Sequence, residues 1–174
     1  MQEGLSIKGT YVAWCVGPDG VEKWRDTIDN TVVTVGKNHI LDTELAGAAY
    51  TVTGPFMGLI SSTSFSAIAA ADTMASHAGW LEAGLANAPT YTAPRKTAVF
   101  SAAAAGVKAL SPALSFAITG AGTVKGAFIV LGAGAVSTRD DTNGTLLSAG
   151  LFTGGDKVVA NLDTVNVSWS LTLT

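Results

Sequence analysis

The sequence predicts a mainly β protein: an antiparallel β-sandwich or jelly-roll-like domain with an N-terminal β-hairpin arm and one or two short helices. Three observations predict it. From Val165 to Thr174 every odd position is apolar and every even one is Asn, Ser or Thr, the two-residue period of a strand with one buried and one wet face. Such alternation belongs to antiparallel sheets, because parallel strands are covered on both faces and read as continuous apolar runs. Near the start, Gly17-Pro18-Asp19-Gly20 sets a tight turn between two strand-like runs, and from Pro89 onward short apolar runs alternate with Gly-, Asp- and Asn-rich turns. At 174 residues the chain can fill one core and is short for two. The expectation is a single domain over 1–174, with a hairpin arm over 1–30 and a β-sandwich body over 31–174.

In the hairpin, Pro18 takes the first turn corner, and Gly20 takes the left-handed conformation of a three-residue loop with a bulge. Gly17 then faces Val21 and Trp14 lies opposite Trp24, an aromatic pair worth a few tenths to about 1 kcal/mol. An isolated two-stranded hairpin is marginal in water. The arm is therefore expected to lean partly on its own body and partly on a neighbouring subunit, which makes Trp14 and Trp24, with Trp80, the candidate interaction residues. Thr31 to Leu45 partly fits a short helix facing the sheet, although Gly36 weakens the pattern. Tyr50 to Thr53 and Phe56 to Ile60 read as strand material broken at Gly54-Pro55. Ser64 to Ala71 is Ala-rich and fits one or two helical turns, and Asp72 opens a loop to Trp80. The later strands are Ala98 to Ser101, Leu114 to Ile118, Val124 to Leu131, Leu146 to Phe152 and Val165 to Leu173, separated by the turns Gly120-Ala121-Gly122, Asp140 to Gly144 and Thr153 to Asp156.

No catalytic, cofactor or metal constellation emerges from the spacing. Gly132-Ala133-Gly134 follows an apolar run as a dinucleotide turn would, but position 137 is Ser and no amphipathic helix follows to receive a pyrophosphate. A glycine-permitted bend is expected there. His39 and His77 lack metal-ligand spacing, and no serine sits in a Gly-x-Ser-x-Gly turn. His77 is expected to bond local backbone. Asp140 and Asp141 with Asn143 carry oxygen ligands but not the spacing of a calcium loop. Cys15 is the only cysteine, so no internal disulfide forms, and between Trp14 and Val16 it is expected to be buried. Asn143-Gly144-Thr145 and Asn166-Val167-Ser168 fit a glycosylation pattern, which means little without secretion.

Composition narrows the partners. With 10 basic against 13 acidic residues, net charge is −3, and the basic residues are scattered rather than clustered, so no nucleic-acid footprint is expected. The most apolar run, Gly126 to Val136, is too short to span a membrane, and Met1-Gln2-Glu3-Gly4 lacks the basic start of a signal peptide. Charged residues make up only 13 % of the chain, about half the usual share, which suits a subunit that buries surface against neighbours.

Five stretches carry a family resemblance: Gly36-Lys37-Asn38-His39-Ile40-Leu41-Asp42 after the hairpin, Ala69-Ala70-Ala71-Asp72-Thr73-Met74-Ala75-Ser76-His77-Ala78-Gly79-Trp80, Ser115-Phe116-Ala117-Ile118-Thr119, Val124-Lys125-Gly126-Ala127-Phe128-Ile129, and the run from Gly154-Gly155-Asp156 to Val167. Together they resemble the small β-rich virion structural proteins of tailed bacteriophages. The resemblance implies assembly rather than catalysis, with no cofactor. Its implied partners are the major capsid protein and copies of itself, without nucleic acid or membrane, and its implied location is the virion after synthesis in the host cytoplasm. Within that group a capsid cement or decoration protein, binding across capsid subunits, is the first expectation, because the chain has no coiled-coil or repeat segment that would give a fibre its length. A tail or fibre component with a receptor- or carbohydrate-binding role, using Trp14, Trp24, Trp80 and Tyr91 for stacking, is the alternative. A virion-associated hydrolase is the third class, and no acid pair or activated nucleophile points to it.

Overall fold

The hairpin forms where its turn residues place it. In the computed structural model, which describes residues 6–45 and 53–173, β1 (Ile7–Val16) and β2 (Glu22–Val32) pair antiparallel around Gly20, whose φ of 81° requires glycine and whose N–H donates to Gly17 O. The register differs from the expected one. Val16 faces Glu22 but Cys15 faces Trp24, so Lys23 bulges out of the ladder and Trp14 lies opposite Arg25 instead of Trp24. One inserted residue sends every later side chain of that strand to the other face. The two tryptophans therefore lie on opposite faces, and the expected cross-strand pair does not form.

Nor is the hairpin an arm. All ten residues of β1 pair with the terminal strand β11 (Thr164–Leu173), from Ile7 opposite Leu173 to Val16 opposite Thr164, while β2 holds the other edge of β1. Tyr11, Ala13 and Cys15 point inward and are fully buried. The alternating β11 needs partners on both edges, and β1 supplies one of them. The expected separation of 1–30 from a body over 31–174 is thereby corrected: the hairpin is the middle of the sheet.

Beyond β2, helix α1 (Thr34–Leu45) packs on β9 (Thr145–Phe152). Gly36, which argues against a helix on propensity, is what permits this contact, since a Cβ there would come within 2.3 Å of Leu147 O. After Gly54-Pro55, β3 (Phe56–Ser61) pairs with β8 (Gly122–Leu131), whereas Tyr50 to Val52 lie outside the described residues. No helix forms over Ser64 to Ala71. There the N–H groups of Ser66 and Ala67 donate to Gly79 O, and that of Ala69 to the Asp72 carboxylate, so the hydrogen bonds a helix would use are taken. Ala98 to Ser101 carries only an isolated bridge between Phe100 and Leu110. The regular strands nearby are β4 (Thr90–Tyr91), β5 (Lys96–Thr97) and β6 (Val107–Ala109), too short for sequence periodicity to register. The remaining strands are β7 (Leu114–Gly120) and β10 (Lys157–Val159).

The strands form one antiparallel sheet in the order β4-β7-β11-β1-β2-β9-β8-β3-β5, with β10 on β8 and β6 on β11. Its two ends, β4 and β5, belong to one short stretch, so residues 90–97 span both edges of the sheet. The sheet is curled into a half-barrel, and the chain is mainly antiparallel β with one short helix. The concave core is built on Tyr11, Ile28, Phe116, Ile129, Val165 and Trp169, with the Tyr11 hydroxyl bonded to Ser148 Oγ at 2.7 Å. A second cluster on the outer face of β3, β8 and β9 contains Ile60, Trp80, Phe128, Val130 and Leu146. Strands β8 and β9 are thus covered on both faces and read as near-continuous apolar runs, while β1, β7 and β11 alternate.

Candidate functional site

The outer cluster is covered by the long irregular segment after β3, and that segment is held by one buried ion pair. The backbone around Glu82 runs along the edge of β3: Ser61 N–H donates to Leu81 O, and Ala83 N–H to Leu59 O. This turns the Glu82 side chain toward Arg95. Arg95 Nε donates to Glu82 Oε1 at 3.0 Å and Nη2 to Oε2 at 2.7 Å, a two-pronged pair in which Glu82 is 4 % and Arg95 1 % exposed. Further hydrogen bonds tie it to neighbouring loops. Arg95 Nη2 also donates to Asp141 O at 2.7 Å and Nη1 to Val136 O at 3.3 Å. Glu82 Oε2 accepts the Asp140 N–H at 2.8 Å, and Oε1 the Tyr91 hydroxyl at 3.4 Å. Burial pushes the Glu82 carboxyl above its ordinary value, and the guanidinium and the Asp140 N–H pull it back only in part. Burial, reinforced by the Glu82 charge, likewise raises the Tyr91 phenol. The pair fastens three stretches of chain, around residues 82, 95 and 136–141, to one another.

Beside it lies a cavity of about 230 Å³. Met74, Trp80 and Leu81 make its apolar side, while the ion pair, Asp140 and Asp141 make much of its polar side. His77 also lines it, with Nδ1 3.0 Å from Trp80 O and its ring stacked on Trp80 at 4.0 Å, the local backbone partner expected of this histidine. Asp141 is fixed by the N–H and Nδ2 of Asn143. Among the described residues no group of three metal-ligating side chains converges. Gly132 and Gly134 adopt φ of 86° and 79°, the glycine-permitted bend, and no helix follows them.

The structure does not bring Trp14, Trp24 and Trp80 together. Trp14 is partly exposed beneath the Arg25 guanidinium, 4.8 Å from the ring centre. Trp24 packs edge-on against Phe152 at 5.4 Å and donates its indole N–H to Val158 O. Trp80 is fully buried against Phe128, its N–H donated to Asp72 at 3.0 Å, and Tyr91 is also buried, so neither offers an open stacking face. Sequence reasoning missed Glu82 and Arg95. A signal existed: Glu82 is the only carboxylate between Asp72 and Asp140, set among apolar and small residues, and a lone charge in such a run is buried only when paired.

Two further ionic contacts pin the turn end of the hairpin. Lys23, the bulged residue, reaches Asp163 at 2.8 Å, and Lys157 reaches Asp26 at 2.6 Å. Although burial alone pushes the Asp26 carboxyl up, hydrogen bonds from Lys157, Thr153 and the N–H groups of Thr27 and Gly154 hold it at about 2. Burial acts the same way on Asp163, and there the Ala160 N–H and Lys23 keep it below the ordinary value. Behind this contact Cys15 is buried, and burial followed by the Asp163 charge pushes its thiol up to about 12, leaving it protonated and inert.

No protein family, curated protein or solved structure matches this chain. Among the described residues no helix is long and apolar enough to cross a membrane.

Proposed function

We propose that the chain is a virion structural protein of a tailed bacteriophage, acting as a homo-oligomeric capsid cement that binds across major capsid protein subunits. The reading starts from the sequence resemblance, and what supports it in the fold is where the charges go. Arg95–Glu82, Lys23–Asp163, Lys157–Asp26 and Lys125–Asp156 each tie together segments distant in sequence. The Glu82–Arg95 pair carries most weight, because its two members bind each other and the loop backbone at Val136, Asp140 and Asp141. Such a site holds shape rather than turning over a substrate. Mass spectrometry of purified particles tests the proposal: hundreds of copies per head support cement, a few copies per particle support a tail position, and absence from virions refutes both.

A further inference from the structure

We propose that Asn143 and Gly144 form a self-modifying site, in which the Gly144 backbone nitrogen closes on the Asn143 side chain and water then opens the ring to an acidic residue. The step needs no partner and no virion. The Gly144 nitrogen bonds to Cγ of Asn143, the Cγ–Nδ2 bond breaks, and ammonia leaves with the proton that the Gly144 N–H gives up, which makes a five-membered succinimide. One water opens either ring C–N bond. Opening at Cγ leaves aspartate, and opening at the main-chain carbonyl leaves isoaspartate, with the backbone rerouted through the side chain. Three features of the fold leave the reaction open. Asn143 is exposed and lies in neither strand nor helix, just before β9 begins at Thr145. Gly144 has no side chain to crowd the attacking nitrogen, and its φ of 91° reserves the position for glycine. Among the described residues nothing accepts its N–H, so no hydrogen bond has to break before that nitrogen ionises. One feature opposes it. The Asp141 carboxylate accepts the Asn143 N–H at 2.8 Å and Nδ2 at 3.2 Å, which holds the amide that must turn and sets a negative charge beside a peptide nitrogen that must become negative. An exposed charge at such range slows the step about fivefold. Conversion also changes what the loop can hold. The amide donor to Asp141 becomes a second carboxylate, and because Asp141 O accepts from Arg95, the new repulsion acts on the stretch fastened to the buried pair.

The test is peptide mapping by mass spectrometry after the folded full chain has been kept warm at mildly alkaline pH. Trypsin, cutting after Arg139 and Lys157, releases residues 140–157 with Asn143 as their one asparagine. That peptide is expected to gain the mass of an amide-to-acid exchange, to split into aspartyl and isoaspartyl forms, and to do so faster as pH rises. Asn143→Gln should abolish the gain, and Asp141→Ala should speed it about fivefold. Should Asp141→Ala misfold, high salt on the unaltered chain must produce an acceleration in the same direction by screening the same charge. An Asn143 amide that persists in the folded chain, while the same chain unfolded in urea converts, overturns the proposal. A rate indifferent both to Asp141 and to salt overturns the part given to that carboxylate. The converted protein, separated by its added charge, is expected to unfold at a lower urea concentration than its parent, and an unchanged midpoint overturns the link to the buried pair.

Discussion

Replacing Arg95 by methionine removes the cation and most of the polar contacts of the buried pair while keeping the volume close. Glu82, 4 % exposed, is then left without its counter-charge, and breaking a buried pair on one side costs about 3–5 kcal/mol. The carbonyls of Asp141 and Val136 lose their donors as well, so the upper part of that range is expected. Against a total of about 5–15 kcal/mol this is a large fraction. With a urea slope near 2 kcal/mol per M, it moves the unfolding midpoint down by roughly 2 M. The loss also depends on pH in a stated direction. Burial already holds the Glu82 carboxyl above its ordinary value, and without Arg95 it rises further, so the folded variant binds a proton that the unfolded chain has released. A carboxyl raised in this way favours folding below its unfolded value and loses that contribution as pH rises through its folded one. The deficit of Arg95→Met should therefore be largest at neutral pH and shrink toward pH 5, while Glu82→Leu combined with Arg95→Met recovers most of the lost stability. Urea titrations of the three proteins at both pH values decide the matter. A neutral-pH loss under about 1 kcal/mol, or one independent of pH, would refute the assignment of this pair as the clamp.

Three other outcomes are expected. Asp26, at about 2, and Asp163 are both held below their ordinary values, so their stabilisation is fully present above about pH 4 and is lost as pH falls through their lowered values; Asp26→Asn should flatten this part of the pH profile of thermal unfolding. Gly36→Ala should destabilise the protein although alanine favours a helix by about 1 kcal/mol, because its Cβ meets Leu147 O at 2.3 Å, and a higher melting temperature would show that the helix can draw back at no cost. Deleting residues 1–30 should abolish the cooperative unfolding transition by circular dichroism rather than leave a folded body, since β1 sits between β11 and β2.

What the sequence disclosed depended on how local the cause was. The terminal strand was legible because its alternation reports one buried face, and β7, β8 and β9 were placed to within a few residues by apolar runs between turn residues. The hairpin turn was legible from Gly17 to Gly20, but its register was not. Lys23 leaves the ladder beside Asp163, a partner 140 residues away that no local pattern announces. Gly36 misled in the other direction: its propensity speaks against a helix, and its absent side chain is what lets that helix touch β9. The stretch from Ser62 to Thr97 was opaque because its order comes from the edge of β3 and from a single ion pair, neither of which has a periodicity.

The stretch from Thr90 to Thr97 also bears on life at high local concentration. An open sheet normally ends in two rows of unpaired N–H and C=O groups, each a template on which a strand from another molecule can pair. Here the last strand at either end is two residues long, and both belong to one continuous stretch of backbone. The outermost strands therefore offer an incoming strand only two residues each to pair with. Short ends of this kind lower the risk that two sheets in contact pair edge to edge and grow into a fibre.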